Sequence, residues 1–235
     1  MPIQREGEFF WTHDLNTTSS LGIESARLEA CIAEAIWRRP GGVFGHPSFG
    51  FEQTDLDFLT RLPWLSRVWF WDVALRDIDG LYALSGLRHF GVHPKRPPVD
   101  FSRFPALEHV VWIHESRDRG LGSATSVRHL ALWHYKPRSK QFAGMDLPPA
   151  LESLEIYWAN PETLAGIPEL PRLRHLEIHR CRNLTSLNEL PRIAPNLEKL
   201  VVTTSGRLTD VAALAALPHL RFARHDGRDM VAQAR

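Results

Sequence analysis

The sequence runs to 235 residues, of which 43% are hydrophobic and 23% charged, enough for a substantial core in a soluble chain. With 28 Lys and Arg against 27 Asp and Glu, no global field favours nucleic acid or an anionic membrane. Cys31 and Cys181 offer no paired zinc spacing, the start is polar and no long apolar run follows, so the expected compartment is the reducing cytoplasm.

In chain order, Phe9-Phe10-Trp11 reads as an extended segment. Over about 21–38, Leu28, Cys31 or Ile32, Ala35 and Ile36 share one helical stripe, and Pro40-Gly41-Gly42 ends it. This predicts a capping helix inside an N-terminal cap of residues 1–45. Phe49 and Phe51, followed by Leu56, Leu59 and Leu62, predict a degenerate first repeat at about 46–64.

A regular rhythm then begins. Leu65, Leu87, Leu107, Val127, Leu151, Leu173, Leu197 and Leu220 follow one another at steps of 22, 20, 20, 24, 22, 24 and 23 residues. An apolar residue stands at +3 from each and, until the last, at +5, as in Val68/Phe70 or Leu176/Ile178. Alternation over so short a run predicts a strand with one buried face. The return halves repeat every three residues, as in Leu75, Ile78, Leu81 and Leu84, or Leu208, Val211, Leu214 and Leu217. That spacing suits 3-10 turns, whose side chains eclipse at i and i+3. Units of about 22 residues cannot bury their own apolar face, so they must stack. Pro94–Pro98 and Tyr135–Lys140 lose the rhythm and predict surface loops. Residues 226–235, polar from Gly227 on, predict a frayed C-terminal tail.

The run Leu173-xx-Leu176-x-Ile178-xx-Cys181-xx-Leu184-xx-Leu187 resembles the leucine-rich-repeat family, in its short bacterial, internalin-like class. The resemblance covers about 46–225. It implies an α/β repeat solenoid, a horseshoe with about eight to nine parallel strands, an irregular 3-10 convex side and a binding role. Cys181 takes the family's Asn/Cys position. Val73, Lys95, Glu115, Tyr135, Ala159 and Ser205 take it elsewhere, which predicts no continuous asparagine ladder.

The +1, +2, +4 and +6 columns face away from the core. The +1 column alternates charge from Arg88 through Glu108, Arg128, Glu152, Arg174 and Glu198 to Arg221, an arrangement that sets register by opposite-charge neighbours. His89, His109 and His129 share the +2 column, but a flat ladder spreads them too far to expect a metal site. The +4 and +6 columns hold the candidate partner-binding residues: Trp69, Trp71, His93, Ile113, Trp133, Glu155, Tyr157, Glu177 and His179. Large aromatics outside a core are the material of binding hot spots. Glu155 and Glu177 are adjacent like charges that a partner's Lys or Arg would neutralise beside ring faces.

The sequence carries no Gly-rich phosphate loop, serine elbow or metalloprotease helix motif, so no catalytic residue, cofactor or metal is assigned. The expected function is a non-enzymatic module that binds another protein, one with a basic patch, through its concave sheet, with no nucleic acid and no membrane. The alternative is an immunity- or antitoxin-like neutraliser of a toxin. A metal-dependent enzyme using the concave His and Glu residues is the distant third.

Overall fold

A computed structural model describes residues 3–13, 19–206 and 208–230. The chain forms two compact units, residues 1–112 and 113–235.

The first unit opens with β1 (Ile3–Glu6) and β2 (Phe9–His13), an antiparallel hairpin, and β2 pairs antiparallel with β3 (Ser19–Gly22). Helix α1 (Leu28–Arg38) then crosses to β4 (Gly42–Gly45), which runs parallel to β3. β5 (Arg67–Ala74), β6 (His89–Lys95) and β7 (His109–Ile113) follow in the same sense. In the second unit β8 (His129–Trp133), β9 (Ser153–Tyr157), β10 (His175–His179), β11 (Lys199–Thr203) and β12 (Phe222–His225) are parallel neighbours, with a one-turn α2 (Leu190–Ile193) between β10 and β11. β13 (Arg228–Asp229) returns antiparallel on β12.

The alternation read from the sequence sets this register. Leu65, Leu87, Leu107, Val127, Leu151, Leu173 and Leu197 are all fully buried, and the paired +3 and +5 residues from Val68/Phe70 to Leu200/Val202 are at most 6% exposed. Leu220 is half-buried, and Ala223 and the short β12–β13 hairpin follow it. The three-residue rhythm becomes 3-10 turns at Asp57–Arg61, Asp79–Ala83 and Ala212–Ala216, which bury Leu59, Leu81 and Leu214. Each inward leucine adds roughly 1.5–3 kcal/mol of burial, and neighbouring repeats share that apolar layer.

Several expectations need correction. Helix α1 starts at Leu28, not near 21, because residues 19–22 are drawn into β3. It buries Cys31, Ile32 and Ala35, while Ile36 at the stripe's edge is 45% exposed. The helix is a crossover between two parallel strands; the antiparallel hairpin β1–β2 is what precedes the ladder. Arg39, left-handed at φ 51°, caps the helix by donating its amide to the Ala35 carbonyl, and Pro40 then stops it. The first parallel strands are therefore β3 and β4, and not a repeat beginning at 46. Val43 pairs with Val68 and Leu21 with Val43, which puts both in the buried +3 column. That makes ten strands in the parallel ladders among the described residues, against eight to nine expected. Phe49 ends a 3-10 turn, and Phe51 is buried from the turn side.

Pro94 and Lys95 are not loop but the end of β6, paired with Val73 and Ala74 after a register shift in β5. Residues 226–230 are not a frayed tail. Asp226 and Gly227 have φ of 47° and 78°, the paired left-handed geometry of a two-residue hairpin that favours Asp-Gly, and they fold β13 back. Residues 231–235 lie outside the described residues.

In the Asn/Cys column, Val73 and Ala159 are buried apolar bulk, and Tyr135 is buried with its hydroxyl donating to the Gln141 carbonyl (3.5 Å). Among the described residues a polar ladder forms between Cys181 and Ser205. Ser205 Oγ donates to the Thr203 carbonyl (3.0 Å) and accepts from the Cys181 amide (3.2 Å), and Cys181 Sγ donates to the His179 carbonyl (3.5 Å). Burial pushes the Cys181 thiol up to about 11, so it stays protonated and inert. No helix among the described residues is long and apolar enough to cross a membrane.

Candidate partner-binding faces

On the open face of the first unit, β4, β5 and β6 present Phe44, Trp69 and Gly91 in the +4 column, and the +6 column runs through His46, Trp71 and His93. Gly91 explains how these side chains lie. Any Cβ there would collide with the Trp69 ring, which settles over the bare backbone. From there Trp69 meets Trp71 edge-on (5.9 Å) and His93 edge-on (5.9 Å). Trp71 in turn packs on His46 (4.8 Å) and Phe44 (6.5 Å). The expected outward residues Trp69 and Trp71 are thus half-buried by each other. His93 departs from expectation: it is 7% exposed and is part of the packing, not of the surface.

On the second unit's open face, the +4 column reads Ala131, Glu155, Glu177 and Val201, and the +6 column reads Trp133, Tyr157, His179 and Thr203. Trp133 packs on Tyr157 (5.4 Å), and Tyr157 stacks on His179 (4.7 Å, 22°). The Tyr157 hydroxyl donates to Glu155 Oε2 (2.7 Å). Burial, this bond and the charges of Glu155 and Glu177 all raise the phenol far above its ordinary range, so it remains a donor. His179 Nδ1 meets Thr203 Oγ1 at 2.6 Å, and its Nε2 meets Glu177 Oε2 at 3.2 Å.

Glu155 and Glu177 are paired across β9 and β10, as the columns required. Glu177 is already answered from within the chain, by Lys199 Nζ at 2.7 Å. Arg174 is engaged with Glu198 instead, and Arg180 lies over Trp158. Burial alone would raise the Glu177 carboxyl, but hydrogen bonds from Lys199 and His179 outweigh it and hold the group below its ordinary range. Glu155 has the tyrosine hydroxyl and makes no ion pair among the described residues.

The structure brings Trp133, Glu155, Tyr157, Glu177 and His179 into one cluster, and Trp69, Trp71 and His93 into another. Ile113 is half-buried at the end of β7. Sequence reasoning passed over Phe44 and His46, because their repeat opens on Pro40 and carries no leucine signature. It also passed over the +7 column. Asp72, His134, Trp158, Arg180 and Thr204 all have φ between 48° and 58°, the left-handed region that bulky residues rarely enter. The cause is local: the amides of His134, Trp158 and Arg180 donate to Tyr157, His179 and Thr203 on the next strand, and the chain then turns off the sheet. The side chains stack along the sheet's edge. His134 lies on Trp158 (5.1 Å, 12°), and the Arg180 guanidinium lies 5.6 Å from the Trp158 ring. Trp158 also touches Trp133 (5.3 Å) and Tyr157 (5.7 Å), which ties the edge to the face.

The predicted +1 ladder forms ion pairs Arg88–Glu108 (3.1 Å), Arg128–Glu152 (3.5 Å) and Arg174–Glu198. A polar recess of about 550 Å³, lined by Glu152, Arg172, Arg174, Asn196, Glu198 and His219, lies along that column, away from the aromatic cluster. In the +2 column His89 and His109 stack flat at 4.3 Å. No three His, Cys, Asp or Glu side chains among the described residues are grouped as a metal ion needs.

No protein-family model matches the sequence, and no curated protein matches it. Among solved structures, an internalin (inlF) from Listeria monocytogenes matches with a TM-score of 0.58 over 86% of this chain, at 17% sequence identity. The chain spans 58% of that internalin chain. The fold is a leucine-rich-repeat solenoid of the internalin-like kind, and the likeness is one of fold.

Proposed function

We propose that the chain is a non-enzymatic protein-binding module that receives a basic side chain of its partner on the open face of the second unit. The observation that carries this reading is Glu155. Its half-buried carboxylate accepts from the Tyr157 hydroxyl and makes no ion pair among the described residues, while its neighbour Glu177 is neutralised by Lys199. Ring faces beside an unbridged carboxylate suit Lys or Arg, which gain from both. The half-buried rings have already lost much of their rotamer freedom, so binding orders little more. A rigid face of this kind suits recognition better than chemistry, which needs a nucleophile or base aimed at a reacting atom.

The test uses the full chain and a fluorescent 12-residue peptide carrying three lysines and no acidic residue. Trp133→Ala and Glu155→Lys should each weaken binding about tenfold or more, the scale of a lost charged or aromatic anchor. The unfolding midpoint should shift by only a few degrees. Peptide binding unaltered in both variants would reject the reading.

A further inference from the structure

Beside the acidic face, the edge of the second unit has the opposite character. The stack His134–Trp158–Arg180 runs along it, and Lys136 and Arg182 stand two residues beyond His134 and Arg180 on the outgoing turns. Arg180, Lys136, Arg138 and Arg182 are exposed and make no ion pair among the described residues. Both faces of the Trp158 ring are engaged, by the His134 ring and by the Arg180 guanidinium. The stack therefore offers a base no ring face on Trp158. Its effect is to hold a guanidinium in place, with its donors open to an acceptor. Three successive left-handed residues that are not glycine keep these side chains on the edge, where glycine would relieve the backbone.

We infer that this edge is a second contact element, taking carboxylates of the same protein partner whose basic side chain seats on Glu155. The inference rests on the reading above and adds the partner's second charge. Charge complementarity selects the occupant. A nucleic-acid strand laid on Arg180 would bring its phosphates beside Glu155 and Glu177, since Trp158 contacts Tyr157 and Tyr157 holds Glu155. A polypeptide has no such conflict, because it can place an acidic residue next to a basic one. The matching partner is therefore dipolar: a lysine or arginine for the aromatic-acidic face, an aspartate or glutamate for the Arg180 edge.

The experiment measures three fluorescent 12-residue peptides against the full chain at low salt: one with three lysines and three glutamates, one with glutamines for the glutamates, and one with glutamines for the lysines. A labelled 20-residue oligothymidylate is the fourth probe. The mixed peptide should bind about tenfold more tightly than the lysine-only peptide, one charged contact's worth. Arg180→Glu should erase that advantage without weakening lysine-only binding. Glu155→Lys should weaken both lysine-bearing peptides. Equal binding of mixed and lysine-only peptides, or an Arg180→Glu variant that keeps the advantage, overturns the inference and leaves the first reading standing. Absence of binding by any peptide overturns both. Oligothymidylate binding more tightly than the mixed peptide and lost in Arg180→Glu overturns the inference in favour of a nucleic-acid edge.

Discussion

The two units use the same +4 and +6 columns to build different surfaces. In the first, Phe44, Trp69 and Gly91 alternate large, large and absent, so the rings collapse onto one another and enclose His93. In the second, Ala131, Glu155, Glu177 and Val201 stand in the equivalent column, and the rings of the +6 column remain beside carboxylates. An outward column is thus not by itself a binding surface. What decides is whether a neighbouring strand leaves room for the ring to fold down onto the sheet.

The largest effect that would break this comparison is at Gly91. Valine there should force the Trp69 ring off the backbone, costing about 1–3 kcal/mol as overpacking does, with a changed tryptophan emission spectrum. Ala131→Val, at the matching position of the second unit, already has a Cβ in place and should cost well under half as much in the same thermal melts. Equal costs at both positions would show that Gly91 does not determine how the first cluster packs.

A smaller effect sharpens the electrostatic side. Glu177 ionises more readily in the folded chain than in the unfolded one, because Lys199 and His179 bond its carboxylate. Its contribution is therefore complete above about pH 4.3, the unfolded value, and is lost as pH falls through the lower folded value. Glu177→Gln should lower stability at neutral pH by less than about 1 kcal/mol, the scale of partly exposed pairs, and flatten the acid limb of stability against pH. An acid limb unchanged by the substitution would mean that the Lys199 bond does not form in solution.

Much of the ladder could be read from the residues, and the parts that could not have physical reasons. Burial of every second residue leaves a period-two trace, so the strands from β5 to β11 were legible, as was the direction in which Trp133, Tyr157 and Glu177 face. β4 was not, because Pro40 and Gly45 stand at the opening and +5 positions that apolar residues mark in the other repeats, and β3 was not, because the helical stripe reads back to about residue 21. His93 was legible as a column member but not as a buried one, since its burial depends on Trp69 crossing the gap above Gly91. Lys199 sits in the +2 column and reaches Glu177 diagonally, a contact visible only when strands are laid side by side. The +7 column was silent because nothing in the identities of His134, Trp158 and Arg180 signals a left-handed backbone. Hydrogen bonds to the next strand impose it.

Hydroxyl-radical footprinting of the chain with and without saturating mixed-charge peptide tests the central claim most directly. Trp133 and Tyr157 should lose reactivity on binding, while Trp37, 74% exposed on α1, should react equally in both states and serve as the internal control. Protection at Trp37 with none at Trp133 and Tyr157 would contradict the account.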